Sequence, residues 1–466
     1  MPAPGAVHRA DLLPATTRAQ RVFGGVRAVV ARHPAGAVAV FGALCAVVAW
    51  LRLPPIAWDT LWAEDGRTFL QAASDHGLAH TLFVPYAGYL HAVPRLIAAG
   101  VVLLPVAWWA VAMTAASCLV AGFLAAVVLI CTRDVVRWMP ARILIASLTV
   151  LAPLAPREVL GNAANLHWLL LWALFWILLH CPRTRTGAVG LGIVALLASF
   201  TEIQALVLLP LLLIRPRERM RWIVRGGVML GLTAQVIATV LTPRAHNGNA
   251  PVPLLSVGYG WLINAVTPLG VPQGWIGPVV AWVGPAVAVA ILLCLTPAVV
   301  YTLVRGTVLQ RWAAASLVIG SVALYALDVE TNPNSFYDYA TMSHAQLLTV
   351  WLTRYGVVPS MMLAATVPLA VSAAISRRRD LGAAPEGGVE RSLAFAACAV
   401  LAVLLLGQVG PQATRRSSGP EWSPQVSAAA ASCVDESPAS AVVLRETIGW
   451  HVTLSCAQVP RAPDPK

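Results

Sequence analysis

The chain has 466 residues, of which 58% are hydrophobic and only 11% charged, with a mean hydropathy of +0.73. That composition excludes a soluble globular protein and a disordered one, and leaves a polytopic membrane protein. The net charge of +12 does not signal nucleic acid, because the arginines fall in short clusters between apolar runs, the positive-inside pattern, and not along one stripe.

Arg9, Arg18, Arg21, Arg27 and Arg32 precede the apolar run Ala35 to Leu51, so residues 1–33 read as a basic cytoplasmic arm and the run as an uncleaved signal anchor leading outward. An external segment over 52–106 follows. It carries Asp59, the adjacent pair Glu64-Asp65, and then an apolar stretch, Tyr89 to Pro105, which reads as a helix in the outer interface. Counted as a full span, that stretch would put Arg133, Arg137 and Arg142 outside. Spans at 107–131 and 143–153 lead to a polar external loop, Arg157 to Trp168, with Glu158, Asn162, Asn165 and His167.

A fourth span ends inside at Arg183 and Arg185. Residues 187–214 are flanked by arginines on both sides and interrupted by Ser199-Phe200-Thr201-Glu202, so they read as two short helices meeting at a polar break. About a dozen residues each, at 1.5 Å per residue, cannot cross a full bilayer, which implies a cavity open in the outer leaflet. Further spans are predicted at 226–241, 277–303, 312–327, 356–376 and 391–409. External segments lie between them at 242–273, with Arg244, His246 and Asn247, and at 328–354, with Glu330, Asp338 and His344. The expectation is an all-α transmembrane bundle of about eleven spans over 34–409, N-terminus inside, with an external tail over 410–466.

Six of the eight cysteines lie in or at the ends of apolar runs, where they read as small packing residues. Cys433 and Cys456 lie in the polar tail. They are a disulfide pair if the tail is external and unrelated thiols if it is not. Ser440 to Arg445 and His451 to Cys456 are predicted as a small strand pair that such a bond would close.

The reactive-looking side chains gather on the predicted outer face. Two adjacent carboxylates beside a bilayer are costly to bury and rarely idle, which puts Glu64 and Asp65 first. Glu158 is a second acid expected near the cavity or paired with Arg157. Glu202 sits at the helix break, and His167 is either a ligand or an interfacial aromatic-belt residue. His91 and Arg95 are spaced i, i+4 on one helix face, toward lipid headgroups or a donor phosphate. The histidines are scattered and no Cys-x-x-Cys or His-Glu-x-x-His occurs, so no metal site is predicted. The open option is a divalent cation, magnesium or manganese, on the acidic pair. Lys466 is the only lysine, so arginine or histidine must supply every loop cation.

Glu64-Asp65 with Phe69 four residues after Asp65, the interfacial helix beyond, the break at Ser199 to Glu202 followed by Leu208-Leu209-Pro210, and the late Arg354-Tyr355 ahead of Pro359 resemble the GT-C glycosyltransferases. These polytopic enzymes transfer a sugar from a polyprenyl-phosphate donor. The resemblance covers most of residues 35–380 as architecture, on short and degenerate motifs. It implies that one carboxylate of the pair is the general base toward an acceptor hydroxyl, with Glu158 a further catalytic acid. It implies that Arg354, with Tyr355 and Arg244, clamps the departing lipid phosphate, joined by His91 and Arg95, and that the anomeric carbon inverts.

Asp59, Asn162, Asn165, His167 and Glu202 complete the candidate cavity. The implied partners are a polyprenyl-phosphate-linked sugar and a glycan, lipid or protein acceptor of the cell envelope at the plasma membrane, and no nucleic acid. The family often writes the pair as Asp-Glu or Asp-Asp, so which carboxylate is the base stays open. The lack of an Asn-x-Ser/Thr sequon disfavours a eukaryotic secretory origin and favours a bacterial one. Two rival readings are a transporter or flippase of lipid-linked saccharides, which would more often show repeats, and a noncatalytic membrane scaffold, which would tolerate replacement of Glu64 and Asp65.

Overall fold

A computed structural model describes residues 34–245, 248–380 and 389–459; the basic arm 1–33, His246 and Asn247 lie outside the described residues. α1 (Pro34–Leu51) is followed by the loop bearing Glu64. A π-helical turn, Asp65–Leu70, then runs into α2 (Gln71–Thr81), and α3 (Ala92–Val101) is the short helix of the predicted interfacial stretch. Next come α4 (Trp109–Cys131), α5 (Met139–Leu151), α6 (Leu166–Leu179), α7 (Arg185–Ser199) with the 3-10 segment Ile203–Leu213, and α8 (Arg219–Leu241). The second half holds α9 (Leu254–Trp261), α10 (Gln273–Val283), α11 (Ala286–Arg305), α12 (Val308–Thr331), α13 (Val357–Asp380) and α14 (Val389–Leu406).

Among the described residues, seven helices are long and apolar enough to cross a bilayer, those built on α1, α4, α5, α8, α11, α12 and α13. The chain is thus a helical membrane protein. The other four predicted spans also fall on helices, but α6, α7, Ile203–Leu213 and the apolar part of α14 are shorter. One expectation is corrected. The span at 277–303 is broken by Gly284 (φ 58) and Pro285, which together end α10 and restart the chain as α11. The external segment 242–273 contains the apolar helical stretch Leu254–Leu269; its prolines fall toward the two ends, while Gly258 and Gly260 are carried inside the helix.

α6 lies at the centre. It is apolar on nearly every face, and all fourteen of its residues are buried, as such a helix must be. At its C-terminal end Arg221 donates to the carbonyls of Leu178 (2.9 Å), His180 (3.0 Å) and Ile214 (2.7 Å), and Arg133 lies 3.3 Å from His180 Nε2. A cation there satisfies carbonyls that the helix leaves without partners. At its N-terminal end stand His167, Asn165 and the acids. The bundle therefore has an arginine end, which also holds Asp134 and Glu218, and an acid-bearing end, where most of the candidate acids stand.

Small residues set the tightest crossings. A Cβ on Gly122 of α4 would sit 2.3 Å from Gly42 O of α1, and one on Gly227 of α8 would sit 2.3 Å from Gly192 O of α7. Close backbone approach of this kind is how apolar helices associate without a hydrophobic driving force.

Residues beyond α14 are not a loose tail. α15 (Trp422–Ser432) and the antiparallel strands β1 (Ala441–Arg445) and β2 (His451–Ser455) are joined by a Cys433–Cys456 disulfide. Trp422 Nε1 donates to Val106 O (2.7 Å), and buried Arg416 donates to Thr60 O (3.2 Å) and Thr114 Oγ1 (3.0 Å). Glu446, 2% exposed, accepts from Gly66 N–H (3.2 Å). This unit clamps the first loop.

Burial, aided by nearby Asp65, pushes the Glu446 carboxyl up to about 9. The folded state therefore keeps a proton that the unfolded chain loses above about pH 4.5, and stability from this group declines as pH rises toward 9. We expect the thermal midpoint of the wild type to fall between about pH 5 and pH 9. Glu446→Gln, still able to accept from Gly66, should flatten that slope in a pH series of thermal melts; equal slopes would refute the assignment.

Candidate functional site

At the acid-bearing end a cavity of about 400 Å³ opens between the first loop, the start of α6, the break after α7, and the ends of α8 and α12. Its wall is built by backbone pairing across distant segments. Ala87 (φ 51) and Gly88 (φ 84) form a tight turn that pairs Tyr86 with Tyr89, the double positive φ of a type I′ turn. Gly88 is required there, since a Cβ would lie 2.9 Å from the Arg244 backbone. Gln235 of α8 bonds both Leu90 N (2.8 Å) and Leu90 O (3.1 Å), and Thr201 Oγ1 accepts from Val93 N–H (3.1 Å). The first loop is thereby stitched to the helix break.

Eight of the residues predicted from sequence line this cavity: Glu64, His91, Asn165, His167, Glu202, Arg244, Arg354 and Tyr355. Glu64 is half-buried, and its Oε2 is buried without a partner. His167 Nδ1 bonds Glu202 Oε2, and Glu202 Oε1 accepts from Gln204 N–H (2.7 Å). His91 bonds Tyr89 O through Nδ1 (3.1 Å). Burial first, and then His167, hold its imidazole well below the ordinary histidine range, so it is neutral and leaves Nε2 as an acceptor.

The remaining predicted residues sit elsewhere. Asp65, 1% exposed, points away from the cavity and accepts from the N–H groups of Ala163 (3.0 Å) and Ala164 (2.7 Å). Burial outweighs those bonds and raises its carboxyl to about 7. It holds the turn before α6, and of the two adjacent carboxylates Glu64 alone lines the cavity. Asp59 accepts from Ser423 N–H (2.9 Å), which ties the tail. Asn162 shapes its own turn, donating to Glu158 O (3.1 Å) and accepting from Asn165 N–H (3.0 Å).

Glu158 has both oxygens occupied, by Arg354 Nη1 (2.9 Å) and Arg415 Nε (2.9 Å). Its arrangement fits orienting a guanidinium and not taking a proton. Arg95 faces a separate pocket. Helical spacing puts it with His91, but His91 precedes the helix at φ −130, ψ 62 and lines the larger cavity, so the two serve different pockets.

A second pocket, of about 220 Å³, lies on the other side of Glu64. It is lined by Trp62, Phe336, Tyr337, Trp351, Arg415, Ile448 and Trp450, and it shares Glu64, Arg354 and Tyr355 with the larger cavity. Ile448 stands at its edge at φ 62 and 65% exposed, a backbone conformation that costs a β-branched residue energy and is rarely kept without a reason.

Sequence reasoning missed Asp328, whose Oδ1 bonds Gln204 and whose Oδ2 is buried without a partner on the cavity wall. It also missed Arg415, Trp450 and the buried Glu446. For Asp328 the signal was an acid inside the last apolar turn of a span. For the tail residues no local signal exists. Among the described residues no group of three or more His, Cys, Asp or Glu is arranged to hold a metal ion. Comparison of the chain with protein-family models, with curated proteins and with solved structures found no match.

Proposed function

We propose that the chain is a membrane glycosyltransferase of the GT-C type that moves a sugar from a polyprenyl-phosphate donor to an acceptor hydroxyl of the cell envelope. The observation that carries this reading is the position of Glu64 on a wall common to two pockets. Transfer needs a base between a donor space and an acceptor space. The larger cavity has apolar walls and two arginines, suited to a lipid-linked phosphate. The smaller one is aromatic, offering flat apolar faces with polar edges to a saccharide.

In this reading the acceptor oxygen attacks the anomeric carbon as Glu64 takes its proton. The bond from that carbon to the phosphate oxygen breaks, and the carbon inverts. The departing polyprenyl phosphate carries the bonding pair, and its charge is stabilised by Arg354 and Arg244. Glu158 and Arg415 hold Arg354 in place. The arginine end faces the cytoplasm by the positive-inside rule, so the pockets and the disulfide-closed unit face outward, and the shorter helices complete about eleven passes through a membrane thinned near the cavity.

The test is reconstitution of the wild type with polyprenyl-phosphate donors bearing labelled sugars. The reading expects polyprenyl phosphate to be released in step with label appearing in acceptor. Donor that crosses the membrane uncleaved would make the chain a transporter, and no change in donor at all would leave a scaffold; either result overturns the proposal.

A further inference from the structure

Beside α3 lies a pocket of about 340 Å³ that shares only Tyr86 with the larger cavity; Arg67, His76, His80, Thr68 and Arg95 are among its walls. Arg95 is 3% exposed, yet only Nη2 has a hydrogen-bond acceptor, Val84 O at 2.8 Å, while Nε and Nη1 are buried without partners. Phe69 covers one face of its guanidinium at 5.5 Å. Buried donors of a charged group are seldom left unmatched, and each unpaired guanidinium N–H is a strong, charge-assisted donor to a phosphate oxygen.

The surroundings favour an anion. Two arginines and two histidines line the pocket and no carboxylate does. The acid nearest in sequence to these histidines, Asp75, is engaged by Gln71 Nε2 at 2.8 Å. Arg67 stands over the Trp450 ring at 5.3 Å, which fixes it at the pocket edge. Phe83 and Val84, 63% and 48% exposed, lie next to the mouth in the chain, where apolar tails attached to a phosphate would find contact.

We infer that this pocket binds a phosphate group through Arg95, with Arg67, His76 and His80 at its entrance, and that it is a site separate from the cavity around Glu64. The inference does not rest on glycosyl transfer. Its volume falls in the range of small-ligand sites and accommodates a lipid headgroup or a free phosphate.

The experiment uses the full chain, purified in neutral detergent, with three probes: dioctanoyl phosphatidic acid, inorganic phosphate, and dioctanoylglycerol as the phosphate-free control. We expect saturable binding of a phosphate-bearing probe and none of dioctanoylglycerol. Affinity should weaken about tenfold in Arg95→Gln and measurably in the surface double variant His76→Ala/His80→Ala, whose exposed side chains leave folding intact. Binding of phosphatidic acid alone identifies a lipid headgroup as the ligand; equal binding of inorganic phosphate identifies free phosphate. Absence of saturable binding by either phosphate probe, or equal affinity in wild type and the double histidine variant, overturns the inference.

Discussion

Glu158→Ala should lower both stability and turnover. The carboxylate, 4% exposed, joins Arg354 Nη1 and Arg415 Nε, each at 2.9 Å. Its removal leaves two guanidiniums facing each other with nothing between them. Breaking one partner of a buried ion pair costs about 3–5 kcal/mol. Arg354 and Arg415 are 28% and 18% exposed, so water recovers part of this and the net loss should be about 2 kcal/mol. Arg354, released, no longer presents its fork to the cavity. Thermal melts and labelled-sugar transfer on the same preparations check both halves. Glu158→Gln should recover more stability than activity, because an amide fills the space without holding either charge. Unchanged melting and unchanged transfer in Glu158→Ala would refute the orienting role.

Asp65→Ala should be a stability variant. It orphans two buried N–H groups, those of Ala163 and Ala164, at about 1–3 kcal/mol each. Against that, the carboxyl raised to about 7 shows that its burial already consumes part of the gain, so relief of desolvation offsets some of the loss. The orphaned donors should win, with a net cost of about 2 kcal/mol. Since Asp65 does not line either pocket beside Glu64, the variant protein that survives should retain donor affinity. A thermal midpoint equal to wild type, or complete loss of donor binding in folded protein, would contradict this.

The apolar runs were legible because burial in lipid demands uninterrupted hydrophobic helices, and the acids were legible because each stands out from such a run. The pair at Glu64 and Asp65 was found this way, but adjacency in sequence does not tell which side chain faces the cavity. That is decided by the π-helical turn beginning at Asp65 and by two backbone N–H groups about a hundred residues away. Asp59, Asn162 and Glu158 were singled out for being polar. Their polarity serves the backbone and other charges, a distinction that needs the partners' positions.

Arg95 shows how a periodicity argument fails when one member of the pair precedes the helix. Gly284 and Pro285 were in view, yet a hydropathy window averages across a break that only backbone angles expose. The contribution of the C-terminal unit was the least legible. Glu446 meets Gly66 across 380 positions of chain, and Trp450 and Ile448 complete a pocket whose other walls come from several distant segments. Cys433 and Cys456 stood apart as the cysteines outside apolar runs, and they are bonded, but nothing in their spacing tells where the unit docks.

The central claim is that Glu64 is the base between two pockets, and the direct measurement is sugar transfer by Glu64→Gln beside wild type and Asp65→Asn, in membranes holding equal amounts of inserted protein. The account predicts that Glu64→Gln binds donor as wild type does but transfers about 10²–10⁴-fold more slowly, the usual contribution of a general base. Asp65→Asn, whose amide oxygen can still accept from one of the two N–H groups, should keep a substantial share of activity. Full activity in Glu64→Gln would contradict the account.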